Sequence, residues 1–235
     1  MNDDVYNDTQ QPEPPEWMVA FVEYAVGCRK PHVECAGTLL NRWWVLTAAH
    51  AVIDPLTTTA LIAPRDLFDC ETERMRHIAK VVPYPAYNGR PDIPLNDVAL
   101  VQLRDPAPTP TNQYVQLASL PDAIAYGWGQ PNLATRGPSR TMKRIPVAIG
   151  SSIPGKISGK SLRPDDETCY GDSGGPLLVT LDGRLVQVGI TSCLAVARNC
   201  DDDSLYTALT PELIAWIVET TRTPGNSGGA VSVCS

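Results

Sequence analysis

The chain is broken into short apolar segments by frequent turn-forming residues, and this pattern restricts the folds that it can adopt. It carries 22 prolines and 17 glycines among 235 residues, so few long helices can form. Apolar segments of strand length recur between Gly, Pro and Asn residues. They cover residues 18–22, 37–40, 43–47, 78–82, 98–103, 145–149, 176–179 and 185–190. The pattern predicts an all-β protein and leaves open whether it is a sandwich or a barrel.

One stretch near the C-terminus has helical periodicity. Thr210 is a suitable N-cap, Pro211 fits the first turn, and Leu213, Trp216 and Ile217 recur on one face. We therefore predict a helix from Pro211 to Thr221. Residues 223–235 show little apolar periodicity, and we expect a frayed tail there.

Composition excludes several classes of protein. With 43% hydrophobic residues the chain can bury a globular core, and its net charge of −7 argues against binding to nucleic acid, which requires clustered Lys and Arg. No apolar run approaches the roughly 20 residues of a membrane helix. Residues 1–16 lack the basic start and apolar centre of a signal peptide, so a secreted form would have lost its signal already.

Seven cysteines show neither paired C-x-x-C spacing nor the accompanying histidines of a zinc site, so disulfides in an oxidising compartment are favoured. The count is odd, which leaves at least one thiol free or bonded to another molecule. The sequence predicts no cofactor and no metal site. Cysteines stand at positions 28, 35, 70, 169, 193, 200 and 234.

A Gly-Asp-Ser-Gly-Gly-Pro segment at residues 171–176 places Ser173 between glycines. Such a turn can expose a serine hydroxyl while backbone N–H groups face a reacting carbonyl oxygen. A serine hydroxyl attacks poorly unless a base takes its proton, and His50 after an apolar run supplies one. Asp97, in Asn-Asp-Val-Ala-Leu, supplies the acid that would orient His50.

These three motifs, in the order His, Asp, Ser, resemble those of the chymotrypsin/trypsin family of serine endopeptidases. The resemblance also covers Gly127-Trp128-Gly129 and the C-terminal helix, and thus nearly the whole chain. It implies two antiparallel six-stranded β-barrels with the active site in the cleft between them. His50 and Asp97 would belong to a first unit at 1–108 and Ser173 to a second at 109–222, before a tail at 223–235.

The resemblance also implies the surroundings of the nucleophile. The N–H groups of Gly171 and Ser173 would form the oxyanion hole. Glu167 would lie at the floor of the primary substrate pocket, beside Thr168, and favour Arg or Lys before the cut. The alternative is that Glu167 belongs to a solvated acidic loop.

Ser192, Cys193 and Leu194 match the segment that pairs as a strand with the substrate backbone. Ser192 is further expected to hydrogen-bond Asp97. Cys193 stands where the family usually has tryptophan, and Leu194 where it has glycine. A leucine there could narrow the pocket and exclude long basic side chains.

The family resemblance makes Asp172 a buried carboxylate that needs a positive partner. The expected partner is the amine of Val5, released by cleavage after Asp4. A Cys169–Cys200 disulfide would join the walls of the pocket. Cys35 lacks its usual family partner, since Ala51 follows the catalytic histidine, and we expect Cys35 to pair with Cys28 instead.

Together these features predict a secreted serine endopeptidase, made as a zymogen, that acts through an acyl-enzyme. Its partners would be polypeptide substrates and protein inhibitors, not nucleic acid or membrane. Two alternatives remain at this point: a protease-like module that binds without turnover, and acyl transfer on small esters.

Overall fold

A computed structural model of the chain describes residues 13–25, 29–53, 59–68, 71–90, 94–109, 116–117, 123–130, 137–153, 155–162, 168–194, 204–222, 231 and 233. Strands dominate these residues. No helix among them is long and apolar enough to cross a membrane.

The first half of the chain forms a closed antiparallel barrel. Its strands pair in the order β1-β2-β3-β6-β5-β4, and β4 returns to β1. Val19, Phe21 and Leu46 on these strands are fully buried, because side chains that point into a barrel of this size fill its interior. The strands are β1 Met18–Ala25, β2 Arg29–Asn41, β3 Trp44–Thr47, β4 Thr59–Ile62, β5 Met75–Pro83 and β6 Ala99–Leu103.

The second half forms another closed barrel in the order β11-β8-β9-β10-β13-β12, with β12 returning to β11. A short strand, β7, adds to β12 in parallel. The strands are β7 Gln116–Leu117, β8 Ala123–Gly127, β9 Lys143–Ile153, β10 Lys156–Ser161, β11 Pro176–Leu181, β12 Arg184–Leu194 and β13 Ser204–Ala208.

Two helices complete the described fold, besides a 3-10 turn at Thr72–Arg74: α1 Ala49–Val52 and α2 Pro211–Thr221. Thr210 caps α2, where its hydroxyl accepts a hydrogen bond from the N–H of Leu213 at 3.3 Å. Trp216 of α2 packs edge-on against Tyr84, with ring centroids 5.0 Å apart. The C-terminal helix therefore docks on the first barrel.

The core is largest where the two barrels meet. One buried cluster combines first-barrel residues such as Leu100 with Trp128 and Ile190 of the second half and Ile217 of α2. A smaller cluster fills the second barrel, with Tyr206 among its members. The shared cluster fixes the barrels against each other, and the loops that carry the candidate catalytic residues lie at this junction.

The fold class expected from the sequence is confirmed, including two six-stranded barrels and the C-terminal helix. Each predicted apolar segment overlaps a strand, and the helix spans the predicted residues. Strands β4, β7, β8, β10 and β13 were missed. In β10 the sequence Lys-Ile-Ser-Gly-Lys-Ser has little apolar alternation. The limits of the two units stay a prediction.

The predicted Cys28–Cys35 disulfide is wrong, because Cys35 is a free cysteine. Its side chain is fully buried in β2, with the sulfur 3.9 Å from the hydroxyl oxygen of Thr47. Burial raises the pKa of the Cys35 thiol, so the reactive thiolate is scarce.

We expect alkylation to distinguish Cys35 from Cys169, which is disulfide-bonded. In the native protein, iodoacetamide should leave Cys35 unmodified. After unfolding without reductant it should label Cys35 but not Cys169, as read by peptide mass spectrometry. A cross-linked peptide that contains Cys28 and Cys35 would restore the original expectation.

Candidate active site

The three candidate catalytic residues lie in segments between strands, where the two barrels meet. His50 lies in α1, the single helical turn that follows β3. Asp97 lies two residues before β6, which pairs with β3. Ser173 lies in the turn before β11 of the second barrel. Pairing of β3 with β6 brings His50 and Asp97 together. Packing of the second barrel against the first places Ser173 beside His50.

Hydrogen bonds link the three side chains in series. Nδ1 of His50 lies 2.7 Å from Oδ2 of Asp97, and Nε2 lies 3.2 Å from Oγ of Ser173. An ionised carboxylate can only accept, so Nδ1 carries the proton and Nε2 of the neutral ring is left as acceptor. The ring is therefore oriented to take a proton from the hydroxyl of Ser173.

The carboxylate of Asp97 is held ionised by its surroundings. Its side chain is completely buried, which by itself raises its pKa. Hydrogen bonds from His50 and Ser192 and the electrostatic attraction of His50 outweigh this effect, so the pKa of Asp97 lies below its usual value. One of these bonds comes from the backbone N–H of His50, at 2.9 Å.

Ser192 joins the second barrel to this group. Its hydroxyl donates to Oδ2 of Asp97 at 2.6 Å, so the hydrogen bond expected from the sequence is present. Oγ of Ser192 also accepts a hydrogen bond from Nζ of Lys156 at 2.8 Å. An ammonium has donors alone, so Lys156 directs the hydroxyl hydrogen of Ser192 toward Asp97. Lys156, which is 1% exposed, was missed by sequence reasoning because its role depends on strand pairing.

The turn around Ser173 is fixed by backbone hydrogen bonds to both barrels. The C=O of Ser173 accepts from the N–H of Ala36 in the first barrel at 2.7 Å, and the N–H of Gly174 donates to Thr191 of the second at 2.7 Å. Gly174 has φ +79°, and a side chain there would overlap Thr47 and Ala36. Only glycine fits this position.

The N–H groups expected to form the oxyanion hole remain available. Gly171 adopts φ +94°, a conformation that side chains disfavour. Among the described residues no acceptor bonds the N–H of Gly171 or of Ser173. Both groups can therefore donate to an oxygen of a bound reactant.

Asp172, beside Ser173, is buried and ion-paired with Lys143, whose Nζ lies 2.6 Å from Oδ2. Sequence reasoning missed Lys143, which begins β9. The expected partner, the amine of Val5, lies outside the described residues, so that pairing stays a prediction.

The predicted substrate pocket lies only partly within the described residues. The Thr168 and Ser204 hydroxyls are buried and hydrogen-bonded to each other. Glu167 and Cys200 lie outside the described residues, and for Cys193 and Leu194 only the backbone is described. The Cys169–Cys200 pairing thus stays a prediction. No cluster suited to a metal ion occurs among the described residues.

We expect the contribution of Asp97 to stability to depend on pH. Because its folded pKa is below the unfolded value of about 3.9, the ionised carboxylate stabilises the fold above that pH, and the effect is lost as pH falls through the folded pKa. Asp97→Asn should therefore lower the free energy of unfolding at pH 6 and cost progressively less below pH 4, as measured by urea denaturation.

The matched control is Asp182→Asn, in the exposed turn between β11 and β12. It should leave the pH dependence of stability unchanged. A constant difference between wild type and Asp97→Asn from pH 6 to pH 2 would contradict the prediction.

Comparison with known proteins agrees with this geometry. The sequence model of the trypsin family matches residues 5–217. The chain is 30% identical to chymotrypsin-like elastase family member 1 of Canis lupus familiaris over 220 residues, covering 83% of this chain and 84% of that protein. It is 29% identical to the proteins of the same name from Homo sapiens, with 83% and 84% covered, and from Macaca fascicularis, with 79% and 78% covered. With its two barrels and the motifs around His50, Asp97 and Ser173, the chain belongs to the trypsin family.

Proposed function

We propose that this protein is a serine endopeptidase that hydrolyses peptide bonds through an acyl-enzyme on Ser173. The observation that carries the proposal is the series of hydrogen bonds from Asp97 through His50 to Ser173. Beside it lie two N–H groups that bond no acceptor among the described residues. Family membership supports the hydrolase class.

The chemistry follows from the geometry. Oγ of Ser173 attacks the scissile carbonyl while its proton passes to Nε2 of His50, and the N–H groups of Gly171 and Ser173 donate to the oxyanion. His50 then gives that proton to the departing amine, leaving an ester on Ser173. A water molecule, deprotonated by His50, attacks the ester and releases the acid, with the proton returning to Oγ.

The positive His50 formed during attack is stabilised by Asp97. Because Asp97 is buried, its attraction for the imidazolium is stronger than it would be in water. The His50 side chain is 32% exposed, so a substrate and a water molecule can reach Nε2.

An extended substrate backbone can add to β12 beside the nucleophile. One edge of β12 from Gly189 to Leu194 pairs with β13. On its other edge, pairing with β11 ends at Ile190. From Ser192 onward that edge pairs with no strand among the described residues, which supports the proposed role of Ser192, Cys193 and Leu194 in binding the substrate backbone. The strand-pairing edge favours peptides over small esters.

For specificity we propose cleavage after Arg or Lys, carried by the acidic side chain of Glu167 at the pocket floor, beside Thr168. A competing preference for small side chains has its own support. Leu194 replaces a glycine at the pocket mouth, and the relatives reported above are named as elastases.

We propose a secreted enzyme with polypeptide substrates and protein inhibitors as partners. The disulfide at Cys169 supports an oxidising compartment.

We expect Ser173→Ala to lower kcat for a peptide amide on the order of 10⁶-fold with the fold intact, because the nucleophile is lost. The measurement is single-substrate kinetics, with thermal unfolding as a check. The matched control is Ser227→Ala, which alters another Ser-Gly-Gly sequence and should retain full activity.

Two outcomes would oppose the proposal. Equal activity in both variants would exclude Ser173 as nucleophile. A folded wild-type chain that binds peptides without cleaving them, in every N-terminal form, would favour the binding module instead.

We expect the protein to hydrolyse peptide amides with Arg or Lys before the cut faster than others in a library varied at that residue. Glu167→Gln should reduce kcat/KM for these substrates at least ~10-fold, because it removes a charge-assisted contact, while Ala and Val substrates change little. Asp182→Asn again serves as the control. A wild-type preference for Ala or Val, unaffected by Glu167→Gln, would assign specificity to Leu194.

A further inference from the structure

The carboxylate beside the nucleophile has a positive partner within the folded second barrel. Asp172 is 1% exposed and Lys143 is 6% exposed at the side chain. Nζ of Lys143 lies 2.6 Å from Oδ2 of Asp172. A charge buried to this degree is costly unless it is paired, and Lys143 supplies that pairing.

Backbone donors complete the environment of the Asp172 carboxylate. The N–H of Gly129 donates to Oδ1 at 2.7 Å, and the N–H of Cys169 donates to Oδ2 at 2.9 Å. A side chain at Gly127 or Gly129 would overlap the carboxylate. The surrounding chain is therefore shaped to hold Asp172 in this one orientation.

Strand pairing in the second barrel places Lys143 near Asp172. It is the first residue of β9 and pairs directly with Gly127, the last residue of β8. Its ammonium also donates to the C=O of Gln130 at 3.3 Å. Closure of the second barrel therefore brings the ammonium to Asp172.

The orientation of Asp172 controls the loop that forms the oxyanion hole. Its own N–H donates to the C=O of Cys169 at 3.0 Å, and its C=O accepts from the N–H of Gly175 at 3.0 Å. Gly171 and Ser173 flank it directly. By holding the Asp172 side chain, Lys143 therefore fixes the loop in which the N–H groups of Gly171 and Ser173 bond no acceptor among the described residues.

We propose that Lys143 is a positioning residue that forms the oxyanion hole of the uncleaved chain by pairing with Asp172. The protein is then competent without release of a new N-terminal amine, and cleavage before Val5 is not its switch. This inference rests on the proposed serine peptidase function and replaces the zymogen mechanism expected for Asp172.

The first test compares N-terminal forms of the wild-type chain. One form begins at Met1 with its amine acetylated, and its intact mass is verified before and after the assay. The other begins at Val5 with a free amine. We expect kcat for a peptide amide to agree between the two within about threefold.

Activity confined to the form that begins at Val5 would overturn the lysine proposal and leave the peptidase function standing. Absence of activity in both folded forms would instead remove the proposed function. The two failures are thus distinguishable.

The second test changes the cation in the acetylated form. Lys143→Met should lower kcat by about 10² to 10³-fold with a small effect on KM, because oxyanion donors act on the transition state. Lys143→Arg should retain most activity, since a guanidinium can also pair with the carboxylate. The matched control is Lys160→Met, an exposed lysine of β10, which should behave as wild type.

An inhibitor series separates positioning from general destabilisation. A peptidyl aldehyde places an oxyanion in the hole when it adds to Ser173, whereas a product peptide does not. Lys143→Met should weaken binding of the aldehyde by the same factor as kcat and leave product binding unchanged. Equal loss for both ligands, or unchanged kcat in folded Lys143→Met, would contradict the proposal. Should Lys143→Met fail to fold, the N-terminal comparison and Lys143→Arg still decide the question.

Discussion

The carboxylate of Asp97 is fully buried at the junction of the two barrels, and it is stable there because donors from both sides surround it. His50 of the first barrel contributes its ring and backbone N–H, and Ser192 of the second contributes its hydroxyl. Separating the barrels would leave the Asp97 carboxylate without part of its hydrogen-bond donors, and an unpaired buried charge is costly in free energy. One interaction therefore couples the packing of the barrels to the alignment of the His50 imidazole.

Two buried lysines complete this electrostatic arrangement from within the second barrel. Lys156 directs the Ser192 hydroxyl toward Asp97, and Lys143 neutralises Asp172. Each lysine is the first residue of a strand, so strand pairing sets the position of its backbone. Groups held in this way need not reorganise when charge develops on the reactant, which is the condition for strong transition-state stabilisation.

Sequence motifs predicted that Ser173, His50 and Asp97 form the candidate site, because the backbone around such residues tolerates few residue types. Gly174, for example, cannot carry a side chain without overlapping Thr47 and Ala36. The roles of Lys143 and Lys156 were not predictable in the same way. Lysine in a strand-like segment is normally solvent-exposed, and nothing near Lys143 in sequence indicates its approach to Asp172. The free Cys35 was mispredicted for a related reason: cysteine spacing cannot indicate that a thiol is buried in a barrel.

The sequence by itself predicted eight of the strands, the C-terminal helix and the three side chains proposed to react, because these depend on turn residues, periodicity and short motifs. The tertiary structure decided barrel closure, the donors around Asp97 and the partner of Asp172. Those features depend on pairings between residues distant in the chain, such as Gly127 with Lys143 and Lys156 with Thr207. Burial makes such pairings important for stability, since an unpaired charge in a low-dielectric interior is costly in free energy.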